Sequence, residues 1–258
     1  MVIMSKVFNF NKRNSKTRKI ENVGSLKLNS TNEENAELYF YGDIASESWQ
    51  SYWYDEDKCP QDIADFLGEL DGYKSIDIYI NSGGGSVHGG LAIYNQLKRY
   101  DGFKTVHVDG LAASIASVIA LAGDRVIIPS NAQMMIHKPW SYCGGNADDM
   151  RREADALDSC QKAITSVYME NANEGITEEK ITELINNETW MTGAEAKEYF
   201  NIEVEESNER VAYSGSMFFD KYKNTPEVIK DTKEEVKNDN ENKELKNKLQ
   251  IQLDLMNL

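Results

Sequence analysis

Along residues 75–81 every second side chain is an isoleucine, Ile76, Ile78 and Ile80, with Asp77 and Tyr79 between them. A period of two predicts a strand with one buried face. Shorter apolar runs predict strands over 37–41, 104–108, 125–128 and 133–137. The first is closed by Gly42-Asp43, and the last two are split by Pro129-Ser130-Asn131. Between these runs the spacing becomes helical. Ile63, Phe66, Leu67 and Leu70 share one face over 61–70, and a similar pattern covers 87–100. Gly110 is read as a turn before a helix of small and aliphatic residues over 112–122. Ala154, Leu157, Ile164, Val167 and Tyr168 mark a long helix over 148–173. Thr177 is an N-cap for a helix over 178–185, and Thr192 with Glu195 predicts a capping box for one more short helix. Successive strand–helix units imply an α/β domain with right-handed crossovers.

This patterned region runs from about residue 36 to 219 and is bordered by segments of different character. Residues 1–35 form a basic N-terminal arm, with Lys12, Arg13, Lys16, Arg18 and Lys19 against Glu21, and read as a solvated arm or a docking arm for an acidic partner. From 220 to 258 Lys, Glu, Asn and Asp dominate, which predicts a charged tail, disordered or helical, since little apolar surface is available to offset its ordering entropy. Leu245, Leu249, Leu253 and Met256 could form an apolar stripe there.

The apolar fraction of 40% suits a packed core, and no run approaches the roughly 20 apolar residues of a spanning helix, so a soluble protein without a membrane partner is expected. A net charge of −15 argues against nucleic-acid binding, because phosphates need Lys and Arg to neutralise them. Cys59, Cys143 and Cys160 match neither a disulfide framework nor a zinc spacing, which points to a cytoplasmic location.

Three segments could carry chemistry. The strand over 75–81 runs into Ser82-Gly83-Gly84-Gly85-Ser86 and then a helix, a turn that presents backbone N–H groups. It lacks both the Gly-Lys-Ser/Thr of a P-loop and the G-x-G-x-x-G of a dinucleotide site, so a plain tight turn remains open. Ser114, in Gly110-Leu-Ala-Ala-Ser-Ile-Ala-Ser117, follows a strand and begins a helix, where a nucleophile is exposed and the next N–H can face an oxyanion. Ser114 and Ser117 could equally be small packing residues. Of the histidines, His107 lies mid-strand and His88 follows the glycine loop, whereas His137 ends an apolar strand before Pro139, where active-site residues of α/β domains collect.

Taken together, INSGGGSVHGGLAIYNQL, GLAASIASVIALAG and MMIHKPW resemble the ClpP family of serine peptidases, in that order and at similar spacing over about 37–204. The resemblance is strongest to the ClpP-related head maturation proteases of tailed phages and prophages. It implies an α/β fold, a ClpP/crotonase-like spiral of ββα units, in which the helix from Asp148 is a protruding handle. It implies Ser114 as nucleophile, His137 as general base, and the N–H groups of Gly85 and Ile115 as the oxyanion hole. The family's triad aspartate falls on Glu188, in Asn187-Glu-Thr-Trp190, so the acid has one methylene more than usual, and Gly83 stands where cellular members carry Pro. The implied function is serine endopeptidase, with or without an ATPase, acting on protein or peptide substrates in a heptameric ring or double ring. Phage scaffold or capsid proteins would be partners in the host cytoplasm, and no metal or cofactor is needed. The alternatives are a crotonase-like acyl-CoA enzyme and a catalytically idle assembly or scaffold component.

Overall fold

The isoleucine ladder forms the second strand of the central sheet. In the computed structural model, which describes residues 5–13, 20–29, 35–45, 59–70, 73–206 and 221–226, Ile76, Ile78 and Ile80 are fully buried. Each such aliphatic side chain stabilises the fold by about 1.5–3 kcal/mol relative to exposure. Two strands precede this sheet, β1 (Ser5–Arg13) and β2 (Ile20–Asn29), which pair antiparallel with each other. The region read as a solvated arm therefore contains a strand pair. Phe8 and Phe10 alternating with Asn9 and Asn11 is a strand-like pattern that the charge count hid.

The main sheet is built from β3 (Asn35–Tyr41), β4 (Ser75–Ser82), β5 (Phe103–Ala113), β6 (Arg125–Ile127), β7 (Gln133–Ile136) and β8 (Thr189–Thr192). Its order is β3-β4-β5-β7-β8, with β6 also on β5. All pairings are parallel except β7–β8. Helices α1 (Pro60–Gly68) and α2 (Val87–Arg99) connect the first three of these strands. Pro60 opens α1, where its missing N–H costs nothing, and Lys98 and Arg99 end α2, where cations are stabilised by the negative end of the helix dipole. The expected mixed α/β fold is present.

β5 differs from its expected form. It runs through Gly110 to Ala113, because Leu111, Ala112 and Ala113 pair with Gln133, Met134 and Met135. The following helix α3 (Ile115–Ala120) starts three residues later than its composition suggests. The long helix α4 (Ala147–Glu170) is capped by Asn146, whose side chain accepts from the N–H groups of Asp148 and Asp149. Only its last turns, with Ile164, Thr165, Val167 and Tyr168, are buried, so its first turns project from the domain. Thr177 caps α5 (Glu178–Asn186), and the expected Thr192–Glu195 capping box opens α6 (Gly193–Tyr199). The stripe Leu245, Leu249, Leu253 and Met256 lies outside the described residues.

Candidate active site

Parallel pairing sends the ends of β4, β5 and β7 to one edge of the sheet, and the antiparallel β8 begins at that same edge. Each sequence-selected segment leaves the sheet there. The β7–β8 register sets Ile136 opposite Thr189, so the residues just beyond, His137 and Glu188, are brought side by side from positions far apart in the chain. β8 was not legible as a strand, since Thr-Trp-Met-Thr is four residues long and sits against a capping box.

Ser114 occupies the junction of β5 and α3 with φ 55° and ψ −128°. A non-glycine residue in this region is strained by roughly 1–3 kcal/mol, and such strain persists where the surroundings over-determine it. Three contacts hold this turn. The Ser114 N–H donates to the Met135 carbonyl at 2.8 Å. Its carbonyl accepts the Ser117 hydroxyl at 2.5 Å, and the Ser117 Oγ lies 2.7 Å from the hydroxyl of Tyr168 on α4. Ser117 is completely buried, which removes it as a rival nucleophile. Ser117 is thus the small packing residue that the sequence allowed and Tyr168 a buried helix position, but the hydrogen bond between them was not legible in the chain.

His137 lies across from the serine, with Nε2 2.7 Å from the Ser114 Oγ. With the ring proton on Nδ1, the serine hydroxyl donates to Nε2, the geometry from which a base takes that proton. The imidazole is only 8% exposed. Burial pushes its pKa down from 6.5 to about 4, opposed by the charge of Glu188. His137 is therefore neutral at pH 7, the state a general base requires.

Glu188 is also buried and has a left-handed backbone, φ 50°. Among the described residues no hydrogen bond joins it to His137. Its carboxylate accepts instead from the N–H of Lys223 at 2.8 Å, the N–H of Asn224 at 2.6 Å and the Trp190 indole at 3.4 Å. The first two donors come from the stretch read by composition as tail. Residues 221–226 lie against the site, with the Tyr222 ring edge-on to His137 at 4.9 Å and its hydroxyl donating to the Gly83 carbonyl. Tyr222 completes a small apolar cluster with Leu111, Ala113, Met135 and Trp190. The one available clue was an aromatic residue and a proline in an otherwise Lys/Asn-rich run.

The glycine loop closes the site from the β4 side. Gly84 and Gly85 have φ of +100° and +147°. A Cβ on Gly84 would lie 2.7 Å from both the Ala113 carbonyl and the Ser114 Cβ, and one on Gly85 2.2 Å from the Ile44 carbonyl. Only a glycine permits that approach. The loop is pinned by Ile44, whose N–H donates to the Gly84 carbonyl and whose carbonyl accepts from Ser86, both at 2.8 Å. That leaves the Gly85 N–H without a hydrogen bond among the described residues. Ile115 is the first residue of α3, where an N–H has no partner within its own helix. Of the other histidines, His107 stacks on Tyr79 at 4.9 Å and lies 3.5 Å from Asp77. His88 has Cys160 Sγ 3.9 Å away, and neither joins Ser114.

A family profile described as Clp protease matches residues 57–203. The ATP-dependent Clp protease proteolytic subunit of Bacteroides fragilis (strain ATCC 25285) is 34% identical over 137 residues, 52% of this chain and 65% of that protein. ATP-dependent Clp protease proteolytic subunit 3 of Streptomyces coelicolor is 35% identical over 136 residues, 52% of this chain and 61% of that protein. The chain thus spans just under two thirds of these relatives' length. Among solved structures, a point mutant of ClpP1 from Listeria monocytogenes matches with a TM-score of 0.55 and 25% identity, covering 67% of this chain and 92% of that one. The crotonase-like alternative gains no support from these matches.

Proposed function

The chain belongs to the Clp protease family, and from that membership and the Ser114–His137 contact we propose that it is a serine endopeptidase. The observation that carries this reading is the 2.7 Å approach of the Ser114 hydroxyl to a buried, neutral imidazole on a strained strand-to-helix turn. In the proposed reaction Ser114 Oγ attacks the peptide carbonyl as its proton passes to His137 Nε2. The amine leaves with that proton, and water hydrolyses the acyl-enzyme with His137 again as base. The Gly85 and Ile115 N–H groups are the donors assigned to the oxyanion, each worth about 3–4 kcal/mol in comparable sites. Glu188 is assigned to orient and stabilise the imidazolium.

The substrates are proteins or peptides, with or without an ATPase that feeds them, and the working unit is a heptameric ring or double ring. The peptidase domain expected over 36–219 also takes in residues 221–226, which lie against the site, with the basic segment before it and the rest of the charged tail after it. A role in phage head maturation is supported by the resemblance of the glycine-loop, serine and histidine segments. A fluorophosphonate probe tests the core of the proposal. The wild type is expected to be labelled at Ser114 and Ser114→Ala to be unlabelled while still folded. Absence of labelling in the wild type would favour an idle assembly component. The same pair, co-expressed with scaffold and capsid proteins of a tailed phage, tests the maturation role. Cleavage that needs Ser114 is expected, and identical outcomes for both forms would exclude it.

A further inference from the structure

The acid position of this site poses a physical problem. A glutamate carries one more rotatable bond than an aspartate, so its carboxylate loses more conformational freedom when fixed beside an imidazole. The local chain offers Glu188 little help, because it follows the end of α5 with a left-handed backbone and its own neighbours supply only the long Trp190 contact at 3.4 Å. The remaining donors come from elsewhere in the chain. Lys223 and Asn224 give consecutive backbone N–H groups to the two carboxylate oxygens. The Asn224 side chain donates to the carbonyls of Asn187 at 2.9 Å and Glu188 at 3.3 Å, gripping the backbone of the same residue.

The residue before this pair reaches the other side of the site. The Tyr222 hydroxyl donates to the Gly83 carbonyl, with the Ser114 side chain beside it. Its ring packs edge-on to His137 and within 6.0 Å of Trp190. Three consecutive residues therefore touch the glycine loop, the serine, the imidazole and the carboxylate. We infer that residues 221–226 are an integral strap of the active site, in which Lys223 and Asn224 are positioning residues that hold the Glu188 carboxylate against His137. Two carboxylate oxygens offer about four acceptor positions, so the three N–H donors leave one for the Nδ1–H of His137. That bond is not made in the structure as it stands, and it would form as the imidazolium develops.

The inference rests on the peptidase reading, and a double-mutant cycle on the full chain separates the two. It uses Asn224→Ala, Glu188→Gln and their combination, with peptide hydrolysis, fluorophosphonate labelling and the ring-proton titration of His137 by NMR. The groups facing His137 are Ser114, Glu188 and Tyr222, and Asn224→Ala alters the identity of none of them. In the wild-type background Asn224→Ala is expected to lower kcat and the labelling rate about tenfold with little change in KM. The His137 titration midpoint should move down as the carboxylate loosens. On the Glu188→Gln background the same substitution should change neither quantity, because there is no longer a charge to position. Equal losses in both backgrounds would reduce the strap to a structural element and overturn the inference. Faster labelling of Asn224→Ala would overturn it by making the strap an obstruction. If the wild type neither hydrolyses nor labels, the peptidase reading fails, and the His137 titration alone decides whether the strap positions Glu188.

Discussion

Burial pushes the His137 pKa from 6.5 to about 4, and the Glu188 charge opposes that fall without reversing it. The consequence is a distinctive pH profile. The general base works only when neutral, so kcat/KM should stay level as the pH drops through 6.5 and fall about tenfold per unit below about 4. A pH–rate profile on a small peptide ester measures this directly. An acidic limb near 6.5 would mean that the working imidazole is solvated. At the same scale the Ser114 turn shows how a side chain becomes a nucleophile. Its backbone angles are imposed by the Met135 carbonyl on one side and by the Ser117–Tyr168 pair on the other. Local sequence only permits that conformation; the neighbours enforce it.

Among the elements, the glycine loop is the most exposed to a single change. It lies between two backbones, Ile44 on one side and Ala113-Ser114 on the other, with no room for a methyl group against either. Gly85→Ala would meet the Ile44 carbonyl, which cannot rotate away as a side chain could, in a φ region that L-residues rarely adopt. A loss of at least about 1–3 kcal/mol in urea unfolding is expected from the conformation alone. At temperatures where the variant is still folded, Ser114 labelling should fall as well, because the displaced loop also touches that turn through Gly84. Normal labelling with reduced stability would show that the loop supports the fold and leaves the site unaffected.

At the scale of the whole molecule, α4 is the feature that points beyond one chain. Its final turns are anchored in the core through Ile164, Val167 and Tyr168, whereas Met150 is 53% exposed and Leu157 is only half-buried. A helix with apolar positions on an uncovered stretch is suited to packing against a second copy. Sedimentation of the purified protein is expected to show a closed ring or double ring. Charge reversal at Asp155 and Asp158, on the exposed stretch of the same helix, should shift it toward smaller species. A monomer with full peptidase activity would remove both the ring and the idea that assembly encloses the active sites.

The sequence by itself determined the elements that follow a local period. The isoleucine alternation of β4, the apolar face of α2 and the Thr192–Glu195 capping box are all set by residues within a few positions of one another, and each is present as expected. The glycine loop, Ser114 and His137 were singled out only through the resemblance that their segments carry together, and the fold then brings Ser114 to His137. Pairing across the sheet is a different kind of information. β5 passes through Gly110 because Leu111–Ala113 found partners on β7, and β8 exists because four residues were paired there. The grip of Lys223 and Asn224 on Glu188 is made by backbone N–H groups, which every residue but proline possesses and which no side-chain pattern reveals. Only the tertiary structure could decide which of them would face the carboxylate.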